Sequence, residues 1–514
     1  MDGRGAASPA RWRLVVGGVA VGVLVAACGQ HPGVHQVAGV PGAPAGGTVP
    51  VTDDLGEVVA APDAAPGDPG DPTGELPELD LDVGADPAVG GPSSPSGGTA
   101  GAGSGGGGGA GASDPATRPD DGSGPDRAGD GPDAAPGAGQ RQVTGSDRTG
   151  VTDDRITLAI HAPVTGAAPL PAQSFERAGD LYWRWVTEAQ GQEVLGRSQV
   201  QVLFADDRFD PSAAIQVCRE LASRAFSLFG AGGTDQINAC GQFAAQARVP
   251  YSSAGVPEAG LRGNPWYVAT TMSYDQQVRL LAQYVAREHR GQKVAAILTQ
   301  SPGLDELVGV WERSLSGVDY VETLRHPKGD TTWYATFARR LLQADVDVVY
   351  FNSSPLDYVR FAQTVQQQGG QLSYVGVGIS NGLNAVLGSG CPAVGDGTFL
   401  SPFPALETAD EVDPDFRRAA RRFGAPDDDV AWALWGQAKL THALLEGYGE
   451  VYGEDLTRED FRAYVGQAGR ISSGVFPDVV FDAQRPFGAT AMHVLRADCG
   501  SKQYRDAGRD VSRF

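Results

Sequence analysis

Short apolar runs alternate with amphipathic stretches from Val151 to Phe514. Apolar runs of about four to eight residues predict strands, and apolar positions at helical spacing predict helices. The first set of elements is a strand at Arg155–His161, a helix at Gln173–Ala189, a strand at Gln199–Phe204, a helix at Pro211–Arg224, a strand at Phe226–Phe229, a helix near Gln236–Arg248, and strands at Val249–Ser252 and Trp266–Ala269. This repeated strand-then-helix order predicts a parallel sheet flanked by helices.

The same order repeats after Ala269. The second set is a helix at Gln276–Arg287, a strand at Val294–Thr299, a helix at Leu304–Leu315, a strand at Tyr320–Thr323, a helix at Thr332–Ala344, a strand at Val346–Phe351, a helix at Leu356–Gln368 and a strand at Tyr374–Val377. The stretch is long enough for two domains. Two successive α/β lobes are therefore expected.

Residues 1–27 have the pattern of a lipoprotein signal peptide. Three arginines precede an uncharged run from Leu14 to Ala27, and Leu24–Cys28 fits a lipobox. A transmembrane anchor is the alternative, but the run is shorter than the roughly 20 residues that a bilayer core requires. We expect lipidated Cys28 to be the mature N-terminus and to anchor the protein to the extracytoplasmic face of the cell membrane.

Residues 28–150 predict a disordered tether. They consist mainly of Gly, Pro, Ala, Asp, Ser and Thr and include no Phe, Tyr or Trp, so they cannot bury a core. Most of the net charge of −22 falls in this segment. Two interpretations stay open: a spacer that holds a receptor off the membrane, and a low-complexity segment without that role. The chain has no basic stripe, so no nucleic acid partner is expected.

Four further cysteines give an even number, which suits an oxidising compartment. Cys218 and Cys240 lie in consecutive predicted helices of the first lobe, so they are predicted to pair, which leaves Cys391 with Cys499. Zinc ligation is the alternative, but no CxxC motif or nearby histidine supports it, and no metal site is predicted.

Three segments carry a specific resemblance. Ala205–Pro211 ends a strand in acidic residues and opens a helix with Asp210 as N-cap. Gly230–Thr234 and Val249–Gly255 follow at the ends of the next two strands. In order and spacing, from about Val151 to Ala497, the chain resembles the leucine/isoleucine/valine-binding proteins and their amide- and urea-binding relatives.

The resemblance implies a type I periplasmic binding protein fold, an α/β architecture of two Rossmann-like lobes with parallel sheets. Three crossovers would join the lobes near Ala269, Thr398 and Gly488. Lobe 1 would comprise about 151–269 and 399–488, and lobe 2 about 270–398 and 489–514. The ligand would lie between the lobes at the carboxyl ends of the strands.

The resemblance also implies a ligand-binding set. In the first lobe, the matched loops supply Thr165, Gly233, Thr234, Ser253 and Gly255. In the second lobe, position alone suggests Tyr274, Ser354 and Ser380. Short hydroxyl residues beside glycines suit a carboxylate, because glycine lets the backbone approach closely and helix N-termini favour anions.

Departures from the family pattern bear on the ligand. The loop Gly376–Ser380 lacks the acid that receives the ammonium group in amino-acid-binding members. Thr165–Pro169 and Ser353–Pro355 lack the expected aromatic residues. These differences argue against an ordinary branched-chain amino acid and leave a neutral amide, a polyol or an aromatic acid open.

The function that the resemblance implies is capture of a small solute for an ABC importer, with permease subunits in the membrane as partners and without a cofactor or enzymatic activity. A ligand-sensing receptor module on the same fold is one alternative. A serine hydrolase is another, because Gly378–Gly382 matches GxSxG, with Ser380 as nucleophile and His442 or His493 downstream. No HGGG-type segment precedes that motif, and the resemblance assigns the loop to the cleft wall.

Overall fold

The computed structural model describes residues 140–254, 261–378, 381–482 and 486–511, without the side chains of residues 509 and 510. The expected signal peptide, Cys28 and most of the expected tether lie outside the described residues. None of the helices described is long and apolar enough to cross a membrane.

The strands are β1 (Arg155–Ala162), β2 (Gln199–Asp206), β3 (Ser227–Gly230), β4 (Tyr251–Ser253), β5 (Tyr267–Ala269), β6 (Lys293–Thr299), β7 (Asp319–His326), β8 (Val348–Asn352), β9 (Ser373–Val377), β10 (Gly397–Ser401), β11 (Gly469–Ile471), β12 (Val479–Phe481), β13 (Met492–Asp498) and β14 (Gln503–Val511). The helices are α1 (Ala172–Ala178), α2 (Leu181–Arg184), α3 (Pro211–Ala222), α4 (Thr234–Ala247), α5 (Tyr274–Glu288), α6 (Pro302–Ser314), α7 (Tyr334–Gln343), α8 (Pro355–Gln367), α9 (Asn384–Gly390), α10 (Ala409–Val412), α11 (Asp415–Phe423), α12 (Asp429–Tyr452) and α13 (Arg458–Val465).

Two sheets form two lobes, which confirms the predicted fold class. The first sheet has the order β2-β1-β3-β4-β5 and is parallel throughout. The second has the order β14-β13-β10-β9-β8-β6-β7, in which the strands from β6 to β10 are parallel. The hairpin β13–β14 adds an antiparallel edge to it, as many mixed sheets have.

The chain passes between the two sheets three times. The first passage lies between Ala269 and Tyr274, and the second follows Ser401, because β10 still belongs to the second sheet. The third precedes β13 and runs beside the first: Ala269 N–H donates to Pro486 O at 2.7 Å, and Gly488 N–H donates to Ala269 O at 3.0 Å. These hydrogen bonds tie two of the connecting segments together where the lobes meet.

The long predicted helix at Gln173–Ala189 is interrupted. It forms α1 and α2, and α2 continues into a π-helical turn at Trp185–Ala189. The break falls at Gly179 and Asp180, and a Cβ at Gly179 would lie 2.7 Å from the Phe175 carbonyl oxygen. Glycine therefore lets the backbone bend tightly at this point.

The structure joins Cys218 to Cys240 and Cys391 to Cys499. His161 lies beside the first disulfide and is the one histidine near two cysteine sulfurs among the described residues. Its Nδ1 hydrogen bonds to Asp207 and its Nε2 to Tyr251, both at 2.8 Å. In this cluster both thiols form the disulfide, and both ring nitrogens of His161 have hydrogen-bond partners.

Residues 140–150, which the composition assigned to the tether, pack against the first lobe. Arg458 is buried and binds Asp147 at 3.0 Å as well as the carbonyl groups of Ala222 and Phe226, at 2.7 and 3.1 Å. Burial opposes ionisation of Asp460, but hydrogen bonds from the chain, including the Gly145 N–H, outweigh it and lower the pKa of Asp460. This strap, residues 140–150, is therefore part of the folded unit.

We predict that a chain beginning at Val151 is less stable than one beginning at Gln140. Loss of the strap removes Asp147 from the buried Arg458 guanidinium and should lower the free energy of unfolding by about 2 to 3 kcal/mol. Urea unfolding of the two chains measures the difference. Arg148→Ala is the control, since its exposed ion pair with Asp455 should contribute less than about 1 kcal/mol. Equal stability of the two chains would contradict a structural role for the strap.

Candidate functional site

A cleft of about 120 Å³ lies between the lobes at the carboxyl ends of the strands. That is where open α/β sheets bind ligands. Its polar lining comes from both lobes and comprises Gly233, Thr234, Asp235, Gln236, Thr271, Tyr274, Gln277, Thr299, Ser301, Lys328, Asn352, Ser353, Ser354 and Asp357.

The loop after β3 forms one end of the cleft. Gly233 has a φ of 78°, and a Cβ there would lie 2.4 Å from Gln236 Oε1, so the position requires glycine. The next residue, Thr234, begins α4 and shares a hydrogen bond with the hydroxyl of Tyr274 on α5. Burial raises the pKa of Tyr274, so this hydroxyl stays protonated near neutral pH.

Four side chains, here called the latch, connect the lobes beside this loop. Ser301 of the second lobe donates to the carboxylate of Asp235 in the first, at 2.8 and 2.9 Å to its two oxygens. Lys328 Nζ lies 3.8 Å from Asp235 and 3.8 Å from the centre of the Phe209 ring, also in the first lobe. Burial lowers the pKa of Lys328. These contacts between lobes show that the structure is in a closed conformation.

Gln236 brings an amide into the cleft. Its side chain is 0 % exposed, and neither Nε2 nor Oε1 has a hydrogen-bond partner within the described part of the chain. A buried amide without partners is costly, so it marks a place where a polar group belongs. The amide offers two donors and an acceptor at one point of the wall.

The second-lobe wall is a connected set of hydrogen bonds. Asp357 on α8 accepts from Ser353 at 2.6 Å, from Ser354 at 2.7 Å and from Tyr334 at 2.7 Å. The Ser353 hydroxyl in turn accepts from Thr299 at 2.7 Å. Because these groups hold one another, the wall is rigid before any ligand contact.

A protein-family model described as periplasmic binding protein matches residues 155–503. The chain belongs to the periplasmic binding protein family. Comparison with curated proteins found no match. Family membership places the chain among binding proteins rather than enzymes.

Several solved periplasmic binding proteins share the fold. A fatty acid ABC transporter substrate-binding protein from Thermomonospora curvata aligns with a TM-score of 0.62 and 20% identity, over 72% of this chain and 95% of that one. A branched chain amino acid ABC transporter protein from Thermus thermophilus with bound valine aligns at 0.60 and 17%, over 71% and 98%. A solute binding protein of Rhodopseudomonas palustris BisB5 in complex with 3,4-dihydroxy benzoic acid aligns at 0.57 and 16%, over 70% and 98%.

The cleft of this periplasmic binding protein brings together four of the sequence-predicted residues: Gly233, Thr234, Tyr274 and Ser354. Ser354 is also the N-cap of α8 and accepts from the Asp357 N–H at 3.1 Å.

Two other predicted residues are engaged away from the cleft lining. The Thr165 hydroxyl donates to Asp206 in a short hydrogen bond. Ser253 is 0 % exposed, and its hydroxyl bonds to the Tyr267 hydroxyl at 2.9 Å. Gly255 and Ser380 lie outside the described residues.

The sequence prediction missed Asp235, Gln236, Gln277 and Lys328. Asp235 and Gln236 directly follow the matched Gly-Gly-Thr segment, and their position in the first turn of α4 was the available signal. Gln277 Oε1 accepts from the Gly378 N–H at 3.1 Å. Lys328 follows the end of β7, where the open-sheet rule expects contacts with a ligand.

The histidines considered for a hydrolase have structural partners. His442 lies on α12, where its Nδ1 bonds to the Tyr182 hydroxyl at 2.8 Å, and burial lowers the pKa of His442. His493 lies on β13, with Nδ1 3.5 Å from Asp506.

Proposed function

We propose that this periplasmic binding protein is the solute-capturing lipoprotein of an ABC importer. It would be held at the extracytoplasmic face of the cell membrane by lipid on Cys28. It would deliver a small polar or carboxylate-bearing solute, of the branched-chain amino acid, amide or urea class, to permease subunits in the membrane.

The unpaired amide of Gln236 in a closed cleft is the observation that carries the proposal. The cleft volume of about 120 Å³ corresponds to roughly four water molecules at about 30 Å³ each, which suits a compact solute. A polar solute would supply the hydrogen bonds that Gln236 lacks, and Lys328 would contribute a positive charge. The three solved relatives are described with valine, a fatty acid or a dihydroxy benzoic acid, all of which carry a carboxylate.

Closure gives the proposal its mechanism. A solute that touches both Gln236 and the second-lobe wall has more contacts in the closed conformation than in an open one. Only such differential affinity can shift the equilibrium between conformations. The latch would then complete a surface that a permease can distinguish from that of the open protein.

Gln236→Met should weaken solute binding by about 10- to 100-fold, because it removes hydrogen bonds worth about 1.4 to 2.8 kcal/mol at similar side-chain volume. A thermal-shift screen over amino acids, amides, ureas and aromatic acids identifies the solute, and titration calorimetry then measures affinity. The variant without solute should be as stable as the parent or more so, because two unpaired buried atoms are lost. Exposed Gln366→Met is the matched control. Unchanged affinity in Gln236→Met would place the solute elsewhere.

Cys28→Ser should abolish lipid attachment, because only the thiol can form the thioether to diacylglycerol. Metabolic labelling with a radioactive fatty acid, followed by purification, tests this expectation. The parent should carry label and partition with membranes. Retention of label by the variant would show that the anchor is not on Cys28.

A further inference from the structure

The first lobe contains a second and larger cavity, here called the lobe cavity. Its volume is about 560 Å³, and it lies between one face of the first sheet and the helices α12 and α13. Sites for small molecules have volumes of about 300 to 1,000 Å³. The lobe cavity therefore has the size of a ligand site, and it is separate from the cleft between the lobes.

The sheet wall of the lobe cavity is defined by strand pairing. Ser227 pairs with Leu158, Phe229 with Ser252, and Ser252 with Val268, so these side chains share one face of the sheet. Although β3 and β4 are interior strands, Ser227, Phe229 and Ser252 are only partly buried. Serines stand at the centre of this wall, where a packed core would have large apolar residues, and they leave the space open.

The helical wall is one face of α12 with part of α13. Leu434, Ala438, Thr441 and Leu444 recur at helical spacing on α12, and Phe461 comes from α13. Small residues again alternate with leucines. Both walls are therefore largely apolar, and their small side chains leave the space between them unfilled.

The polar groups of the walls largely bond to one another. Thr270 donates to Gln437 Oε1 at 2.7 Å, and Gln437 Nε2 donates to Thr441 at 3.4 Å. Asn264 donates to the Gly241 carbonyl group at 2.9 Å. The rest of the lining is mostly apolar, with Trp183, Phe229 and Leu444 among it, so the space suits the hydrocarbon part of a ligand.

Positive charge stands at the rim, beside the edge strand β5. Arg262 and Arg462 are both exposed there, together with Asp482. Arg462 Nε donates to the Pro265 carbonyl oxygen at 3.0 Å, which holds the guanidinium group at the opening. Arginine binds carboxylates through its forked geometry.

We propose that the lobe cavity is a second binding site, which takes a long-chain carboxylic acid with its hydrocarbon chain between the sheet and α12 and its carboxylate at the Arg262 and Arg462 rim. This site is independent of the solute proposed for the cleft. The protein would thus bind two chemically different molecules at once.

Photo-crosslinking tests the site without altering the protein. Full-length protein is incubated with palmitate that carries a diazirine near its methyl end, irradiated and digested, and the labelled peptides are mapped. The proposal expects label on the peptides of β3, β4, α12 or α13. Absence of saturable labelling, or label confined to cleft peptides such as those of α6 and the Lys328 loop, would overturn it.

Two variants separate this site from the cleft. Ser252→Phe places a phenyl ring at the centre of the lobe cavity and should weaken palmitate binding at least about tenfold, because the ring competes with the hydrocarbon chain for space, while a solute found for the cleft binds as before. Gly303→Val, in the first turn of α6 beside Thr234 and Asp235 of the cleft, should leave palmitate binding intact. The proposal would be overturned if folded Ser252→Phe bound palmitate as strongly as the parent does, or if Gly303→Val lost palmitate binding. If only the cleft proposal failed, the crosslinking result would stay the same.

Discussion

Replacing Gly303 by valine is expected to keep the lobes from closing and to weaken solute binding by about 100-fold, if the closed conformation falls to about one molecule in a hundred. Gly303 lies in the first turn of α6, facing α4 across the cleft. A Cβ there would lie 2.5 Å from Thr234 Cγ2 and 3.1 Å from Asp235 Oδ1. These distances are too short for the closed conformation, but an open conformation separates the two helices.

Calorimetry with the solute identified by thermal shift measures the loss of affinity, and small-angle scattering measures closure. The parent should show a smaller radius of gyration with solute, whereas Gly303→Val should not. Gly309→Val on the same helix is the matched control, since a Cβ there meets only the flexible end of Arg313, at 2.7 Å. If Gly303→Val binds and compacts as the parent does, binding does not depend on the closed contact between α4 and α6.

The order of elements could be predicted from the sequence because buried parallel strands are short apolar runs between amphipathic helices. The bounds were less predictable at the sheet edges. The strand predicted at Tyr320–Thr323 extends over Asp319–His326 as β7, the edge of the second sheet. Its charged residues pair with helices, Glu322 with Arg340 and Arg325 with Asp305. Such partners lie far along the chain and leave no local signal.

Residues of the cleft could be predicted from the sequence only where neighbouring residues carry a recognisable pattern. Gly233 and Thr234 are adjacent and carry a recognisable loop pattern, whereas the bond between Asp235 and Ser301 joins residues 66 positions apart and exists only between closed lobes. Ser253 shows another limit. It stands in a matched segment, but the pleat of β4 turns its side chain toward Tyr267 rather than toward the cleft lining.

The largest expected effect on stability concerns Asp429, a buried carboxyl group between the lobes. It lies in the first turn of α12 in the first lobe and accepts a short hydrogen bond from the N–H of Asn384, the first residue of α9 in the second. Burial raises the pKa of Asp429 to about 7, the Asn384 hydrogen bond opposes this shift, and the nearby Asp428 adds to it. The carboxyl group therefore changes its charge near neutral pH.

The sign of the pH dependence follows from this raised pKa. Below about pH 4 the carboxyl is protonated in both the folded and the unfolded chain, and its favourable contribution is complete. That contribution is lost progressively as the pH rises from about 4 to about 7, because the unfolded chain ionises this carboxyl group while the folded protein keeps it protonated, and the loss is complete above about pH 7. In the parent, the Asp429 contribution should therefore fall by about 2 to 3 kcal/mol between pH 5 and pH 8.

Asp429→Asn removes this titration and keeps an oxygen that can accept from Asn384. We expect the free energy of unfolding of the variant minus that of the parent to be about 2 to 3 kcal/mol larger at pH 8 than at pH 5, so that the variant gains stability relative to the parent, measured by urea unfolding at both values. Taking the difference between two pH values cancels any packing change that the substitution causes. Asp210→Asn is the matched control, because asparagine keeps the N-cap that Asp210 provides to the Ala213 N–H, and Asp210 caps α3 rather than lying beside Asp429. A relative stability of Asp429→Asn that is the same at both pH values would show that Asp429 does not bind a proton near neutral pH, and the junction between α12 and α9 would then be held by an ionised carboxylate.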